Sequence, residues 1–406
     1  MEDIAKPPKP TRILPVDRSD VYDISFDGQD GFLETFNLSL REGPTKTHLN
    51  TAAKKLLDSD VPVAFPAETV YGLGAIATRS SAVRAIFNVK GRPADNPLIV
   101  HVCSIQQLRQ LLRPRSRRDE TADISDPIPN IYKPLIKEFW PGPLTILLPC
   151  PENSELAPEV HPGLKTFSVR IPNDVLALAL IQLSGPIAAP SANASTKPST
   201  TTAEHVKVDL EGKIEIILDG GPCSVGVEST VVDGLSDPPC ILRPGGISLQ
   251  QIRRCQGWEN AIAGYNSKSA TVPKAPGMKY RHYSPNASVI LYEAGSSDPI
   301  IECEKDVAII RTMAWKSRTR TDVDTVSSSP GSIPVLCSPE NNHWEVCLGN
   351  DLESIARELF ASLRQLDDKG VHTIHVEGIP ETDDLAATIM NRLRKAAIQI
   401  HTCRTN

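Results

Sequence analysis

The residues able to do chemistry in this chain of 406 residues fall into five short stretches. In VKGRPADNPLIVHV, from Val89 to Val102, Lys90, Arg92, Asn96 and His101 lie close together. Lysine is a mobile point charge and arginine a planar fork matched to phosphate oxygens, so the two can neutralise a triphosphate. Gly91 and Pro93 shape the loop that carries them. In PIAAPSANASTKPSTT, from Pro186 to Thr202, an apolar strand runs into Ser191 and Asn193, then Ser195, Lys197, Ser199 and Thr200. Hydroxyls and an amide at a strand end can bond phosphate or base edges; a Ser/Thr-rich turn with helix caps has the same look. In FPAETVYGLGA, from Phe65 to Ala75, a turn presents Glu68, Thr69 and Tyr71, and Gly72 and Gly74 let a ligand approach the backbone. Taken alone, this stretch also reads as a strand-to-helix connection capped by Thr69. GVEST, from Gly226 to Thr230, sets Ser229 at the start of an apolar strand. ILRPGGIS, from Ile241 to Ser248, places Arg243 before a rigid Pro-Gly-Gly turn, which lowers the cost of ordering it on an anion.

Several classes of function are excluded or disfavoured. No G-x-x-x-x-G-K-[ST] occurs, so this is no P-loop NTPase, and no G-x-S-x-G elbow presents a serine nucleophile. Nine cysteines stand singly without a C-x-x-C pair, which argues against a disulfide framework and a zinc knuckle and predicts reduced thiols in a cytoplasmic protein. The net charge of −6 argues against a polybasic coat protein. No run approaches about 18 uninterrupted apolar residues, so no membrane association is expected. The start, MEDIAKPPKPTRILPVDRSD, lacks a secretory apolar core and is too acidic for a mitochondrial presequence.

The elements that must position these residues alternate between strand-like and helix-like patterns, which predicts an α/β fold. Residues 1–45, rich in Pro, Asp, Ser and Thr, read as an N-terminal extension. Over 46–255, Leu49, Ala52, Ala53, Leu56 and Leu57 recur at helical spacing, and a second helical stretch covers Val175–Leu183. Strands are expected at Val61–Phe65, Leu98–Val102, Leu144–Leu148, Thr166–Ile171, Ile187–Ala189, Ile214–Leu218, Ser229–Asp233 and Ile241–Leu242. The basic run Arg113–Arg118 opens an insertion at 113–130, read as a solvated surface segment or an RNA-backbone contact. Residues 256–287, ending in KAPGMKYRHYSP, read as an interdomain linker. Residues 288–406 read as a smaller Rossmann-like α/β domain without a dinucleotide glycine fingerprint. Its strands are expected at Ser288–Tyr292, Asp306–Arg311, Pro334–Cys337, Trp344–Leu348 and Thr373–Val376. Its helices start near Asp351, ending at Gly370, and near Leu385, and 316–332 read as a loose loop.

KGRPADNPL together with PSAN resembles the K-x-R…S-x-N signature of the threonylcarbamoyl-AMP synthase family, here Lys90, Arg92, Ser191 and Asn193. APGMKYRHYSP and the helix with Ala387–Leu393 resemble the connector and second domain of its two-domain members, found in archaea and fungi. The likeness spans roughly residues 46–402, with Ala67 where the family often has threonine and a longer 113–130 segment. It implies a YrdC-like twisted α/β domain joined by a linker to a second, smaller domain. It further implies synthesis of L-threonylcarbamoyladenylate from L-threonine, bicarbonate or CO₂, and ATP, with Mg²⁺ on the phosphates and no metal site of the protein's own. Lys90, Arg92, Ser191 and Asn193 would be catalytic. Arg92, Asn96, Thr166, Ser191, Ser199, Arg243 and Tyr283 would contact ATP, and Lys90 and Asn193 with them. Thr69, His101, Arg170, Ala189 and Ser229 would contact threonine, and Tyr280, His282 and Tyr283 would form a lid. A downstream tRNA threonylcarbamoyl transferase complex would take the product, with weak tRNA binding by this chain. The alternative expectation is an RNA-binding protein without catalysis.

Overall fold

The computed structural model describes residues 10–28, 32–113, 126–266, 282–299, 305–315, 325–326, 335–338, 343–349, 351–382 and 384–402. The run 114–118, most of the 113–130 insertion, Tyr280 and most of the loop expected at 316–332 lie outside them.

Short apolar segments of the first domain assemble into one mixed sheet of eleven strands among the described residues. Its spatial order is Arg12–Pro15, Ile216–Asp219, Val63–Phe65, Gly72–Ile76, Ile187–Ala188, Ile99–His101, Thr166–Arg170, Leu144–Pro149, Thr230–Asp233, Cys240–Arg243 and Ile262–Ala263. The predicted amphipathic pattern becomes the helix Pro44–Asp58, which buries Leu49, Ala52, Ala53 and Leu56 on one face. Each fully buried leucine contributes about 1.5–3 kcal/mol. The helix Val175–Ser184 is apolar nearly all round and almost wholly buried. The carboxylate of Asp174 caps it, accepting from the backbone N–H of Leu176 and Ala177 at 3.0 and 3.1 Å. Cys103, Cys150, Cys223, Cys240, Cys255 and Cys347 are free thiols.

Two expected boundaries are corrected. Residues 1–45 are not merely an extension. Arg12–Pro15 pairs in parallel with Ile216–Asp219, and Val21–Asp27 with Thr35–Leu40 forms a separate antiparallel pair. A four-residue strand at a sheet edge is too short to show periodicity, so composition alone misread it. The linker also begins later than residue 256. Trp258 is fully buried, its indole N–H donates to the Ile131 carbonyl at 2.7 Å, and Ile262–Ala263 closes the edge of the first sheet.

The second domain has a sheet of seven strands among the described residues, in the order Thr325–Val326, Val335–Ser338, His343–Cys347, Val307–Arg311, Thr373–Glu377, Ser288–Tyr292 and Gln399–His401. Every pairing from His343–Cys347 onward is parallel, and the Rossmann-like expectation describes that part. The helix Leu352–Asp368 is capped by Asp351, which accepts from Ser354 N–H at 2.7 Å. It buries Ile355, Ala356, Leu359, Phe360, Leu363 and Leu366, and the chain leaves it through Gly370 at φ +75°.

The two domains share a packed interface. Val70 and Val227 of the first join the apolar core of the second. Gly226, at φ +80°, allows this approach: a Cβ there would lie 2.4 Å from the Cα of Arg357. Arg364 crosses the interface to Asp209 with bonds of 3.2 and 2.8 Å, and Thr388 donates to the Gly245 carbonyl at 3.0 Å.

Candidate active site

The site is built where the central strands of the first sheet meet their loops. Ile99–His101 and Thr166–Arg170 are parallel neighbours, and His101 stands opposite Arg170 in register. Both side chains therefore emerge together at the carboxyl ends of two parallel strands, where open α/β sheets form their crevices. The turn after Val63–Phe65 brings Glu68 and Thr69 to the same place. Arg170 ties them all. Its Nη1 donates to Glu68 Oε1 at 2.7 Å, its Nη2 to Thr69 Oγ1 at 2.9 Å, and its Nε to His101 Nε2 at 3.0 Å. Burial, and then the adjacent Arg170 cation, hold His101 well below the ordinary imidazole pKa. The ring is thus neutral, with Nε2 as acceptor.

A cleft opens above this group. Thr69, His101, Arg170, Ala189 and Ser229 line it, together with Arg92, Ser191, Arg243, His282 and Tyr283. Arg92 and Arg170 therefore share one cavity. Arg92 is oriented by its own loop, donating to the carbonyls of Asn96 at 3.3 Å and Pro97 at 2.9 Å. Arg243 donates to the Ser229 carbonyl and hydroxyl at 2.8 and 3.1 Å, and Ser229 Oγ lies 2.8 Å from Thr145 Oγ1. Burial lowers the Arg243 pKa to about 10, with Glu228 opposing the shift, so it stays cationic at neutral pH.

The remaining expected residues stand one layer back or elsewhere. Lys90 is buried beside the cleft, not in its lining. Its ammonium donates to the Ser191 carbonyl at 2.5 Å and also to the Asn193 carbonyl, so it clamps the Ser191–Asn193 turn. Asn193 secures the same turn from within, donating to the carbonyls of Ala194 and Lys197 at 2.8 and 2.9 Å. Ser199 lies behind Glu228, donating to its Oε1 at 2.6 Å. Asn96 is buried, and its Oδ1 has no hydrogen-bond partner among the described residues. Thr166 is not brought to the cleft. It pairs with Pro149 at the opposite end of the strand from Arg170, four residues or about 13 Å away. Of the two glycines expected to admit a ligand, Gly72 lines the cleft and Gly74 does not; a Cβ on Gly72 or Gly74 would also come within 2.9 or 2.8 Å of the Phe65 ring, so both make room for Phe65.

Of the expected lid, Tyr280 lies outside the described residues, while His282 and Tyr283 lean over the cleft. Tyr283 adopts φ +67° and stacks on Phe360 of the second domain at 5.1 Å. Burial and the nearby Arg92 lower the His282 pKa to about 3, so this imidazole is neutral.

Sequence reasoning passed over Glu228 and Arg392. Glu228 lines the cleft and receives Arg392 Nε at 2.9 Å from the second domain. Burial pushes its pKa up, but Arg392 and Arg243 outweigh this and bring it down to about 2. A signal was present. Leu385, Thr388, Arg392 and Ala396 recur at helical spacing, and an arginine on a buried stripe calls for a buried acid.

Fold and site together define a two-domain α/β protein whose cleft, lined by three arginines, suits the joining of small anionic substrates. Residues 55–245 match a family model described as telomere recombination, and 247–398 one described as threonylcarbamoyl-AMP synthase, C-terminal domain. The chain is 47% identical to the threonylcarbamoyl-AMP synthase of Schizosaccharomyces pombe, across 92% of this chain and 93% of that protein. It is 43% identical to the enzyme of that name from Pyrococcus abyssi, across 89% and 98%. The crystal structure of P. abyssi Sua5 complexed with L-threonine superposes with a TM-score of 0.73 at 37% identity, covering 97% of this chain and 100% of that one. The chain belongs to the threonylcarbamoyl-AMP synthase family, in its two-domain form.

Proposed function

We infer that the protein is a nucleotidyltransferase that condenses L-threonine, bicarbonate and ATP into L-threonylcarbamoyladenylate and releases pyrophosphate. The observation that supports this most is the convergence of Arg92, Arg170 and Arg243 on one cleft, in a chain of this family. The threonine amine attacks the carbon of bicarbonate, a C–O bond breaks, the amine gives up a proton and water leaves, which yields a carbamate. A carbamate oxygen then attacks the ATP α-phosphorus, the bond to the β-phosphate breaks, and pyrophosphate leaves. Both reactants are anions, and their repulsion is the main obstacle. Preorganised guanidinium groups in a partly dry cleft lower it. Arg170 has five N–H donors in a fixed fork, and three bonds to His101, Glu68 and Thr69 leave donors for the threonine carboxylate. Arg92, Ser191 and Arg243 would take the phosphates, and Thr69 and Ser229 would orient the amino acid. Lys90 and Asn193 would act through the Ser191 turn that they hold.

ATP would enter with Mg²⁺. Among the described residues no group of three metal-ligating side chains converges, and Glu68 and Glu228 are both engaged by arginines. The ion would therefore sit on phosphate oxygens and water, offsetting their charge. His282 and Tyr283 would exclude water from a carbamate and a mixed anhydride that hydrolyse readily. A separate transferase complex would pass the activated group to tRNA, which this chain would bind only weakly. No helix of the described residues is long and apolar enough to cross a membrane. The reaction would run in the cytoplasm.

The test is mass spectrometry of a reaction with ATP, threonine and ¹³C-bicarbonate. The labelled carbon should appear in a threonylcarbamoyl adenylate, and pyrophosphate release should require both threonine and bicarbonate. Pyrophosphate release that ignores threonine would overturn the reading.

A further inference from the structure

Glu228 is the only carboxylate among the described residues lining the cleft. A negative charge there works against a site that must hold two anions. It also lines the same cleft as Arg243, one of the cations the substrates need, near enough to act on its charge. Left alone, a buried carboxylate would draw that guanidinium to itself.

The second domain supplies what prevents this. Arg392, on the helix Asp384–Ala396, is 1% exposed. Its Nε donates to Glu228 Oε2 at 2.9 Å, while Ser199 satisfies Oε1. Its Nη2 donates to the Pro244 carbonyl at 2.9 Å, on the residue after Arg243. Its Nη1 donates to Asn391 Oδ1 at 2.9 Å, and the guanidinium carbon lies 5.3 Å from the centre of the Tyr283 ring. One side chain thus touches the acid of the cleft, the loop that carries Arg243 and the aromatic group that leans over the opening.

We propose that Arg392 is a positioning residue contributed by the second domain, which neutralises Glu228 so that Arg243 stays on Ser229 and the cleft keeps its affinity for anions. The second domain then completes the electrostatics of a site whose substrate contacts lie in the first. The inference rests on the reaction proposed above for the identity of the anion.

The sign of two substitutions tests it. ATP binding is measured by calorimetry on the full chain, unsubstituted and as R392M, R392K, E228Q and R392M/E228Q, alongside thermal melts. R392M should weaken ATP by about tenfold or more, or about 1.4 kcal/mol. R392K, which keeps the charge, should lie between. E228Q should tighten ATP, and adding it to R392M should recover most of the lost affinity. A role in domain docking alone predicts that E228Q and R392M weaken ATP alike, since both break the same pair, and that the double variant shows no rescue. Either result overturns the proposal. Should R392M not fold, E228Q decides by its sign. An unsubstituted protein that binds ATP but makes no labelled adenylate would overturn the reaction, while the affinity pattern would still decide this inference.

Discussion

Arg170→Lys isolates the geometry of the cleft from its charge. The substitution keeps a cation under the threonine end of the cleft. It removes the planar fork that reaches Glu68, Thr69 and His101 at 2.7, 2.9 and 3.0 Å from three separate nitrogens. An ammonium is a point donor and cannot hold all three and still present two parallel N–H groups to a carboxylate. Losing one charge-assisted bond to the substrate costs about 1.5–3 kcal/mol. That is about ten- to a hundredfold in threonine affinity. The effect should fall on the KM for threonine. The KM for ATP should change by less than about threefold, because Arg92 and Arg243 approach the cleft from other loops. The assay is pyrophosphate release at varied threonine and saturating ATP, with a thermal melt as control. Lysine is preferred to methionine because an apolar residue would strand the buried Glu68 carboxylate. A threonine KM within about twofold of the unsubstituted value, in a protein that melts normally, would refute the assignment of Arg170 to the substrate carboxylate.

Four further outcomes are expected. Arg364→Met takes the guanidinium from the buried Asp209, leaving it Lys197 Nζ at 3.7 Å and the Ala194 N–H at 2.9 Å, and should cost up to about 3 kcal/mol in denaturant unfolding. Lys90→Met strands the carbonyls of Ser191 and Asn193 and should lower both the melting temperature and the affinity for ATP, because the Ser191 turn loses its clamp; unchanged ATP affinity would separate that turn from nucleotide binding. The lowered pKa of His282, about 3 when folded against 6.5 as reference, means that the folded state binds fewer protons, so its contribution to stability is present above pH 6.5 and lost as pH falls towards 3; substituting His282 by Asn should flatten acid unfolding in that window. Cys150 sits 3.3 Å from His161 Nε2, which lowers its thiol pKa despite burial, whereas burial raises Cys103 to about 11; iodoacetamide should label Cys150 before Cys103, and His161→Ala should slow that labelling.

What could be read in the sequence follows from range. Runs such as Leu144–Pro149 and Ser288–Tyr292 are legible because their apolar residues are contiguous or alternate, and the helix Leu352–Asp368 because its stripe persists over several turns. The strand Arg12–Pro15 was hidden because its partner, Ile216–Asp219, lies some two hundred residues away. The helix Ser80–Lys90 escaped notice because no side-chain cap marks its start at Arg79. At the site, Arg92 and Ser191 stand in loops and Arg243 ends a strand, and neighbouring glycines and prolines single them out. Glu228 and Arg392 are separated by 164 residues and meet only when two domains dock, a relation that no local pattern encodes. The placement of Thr166 depends on which end of its strand meets the cleft, and periodicity is blind to direction along a strand.

The interface between the domains follows a consistent physical logic. Two acids of the first domain, Asp209 and Glu228, are buried, and each receives an arginine from the second. Buried ion pairs contribute little net stability over apolar pairs of equal size, because desolvation cancels most of the attraction. Apolar contacts such as Val70 and Val227 against the second core could have joined the domains more simply. Ion pairs add direction. Arg364 also donates to the carbonyl of Ser199 at 3.3 Å, and Arg392 to that of Pro244, so each fork grips a loop that carries an expected ATP contact. A fork engaged on both a carboxylate and a carbonyl fixes its loop in position and rotation, which a greasy contact does not. Sliding the domains apart would strand two carboxylates and several carbonyls at once. The docking geometry and the shape of the cleft are therefore set by the same few bonds.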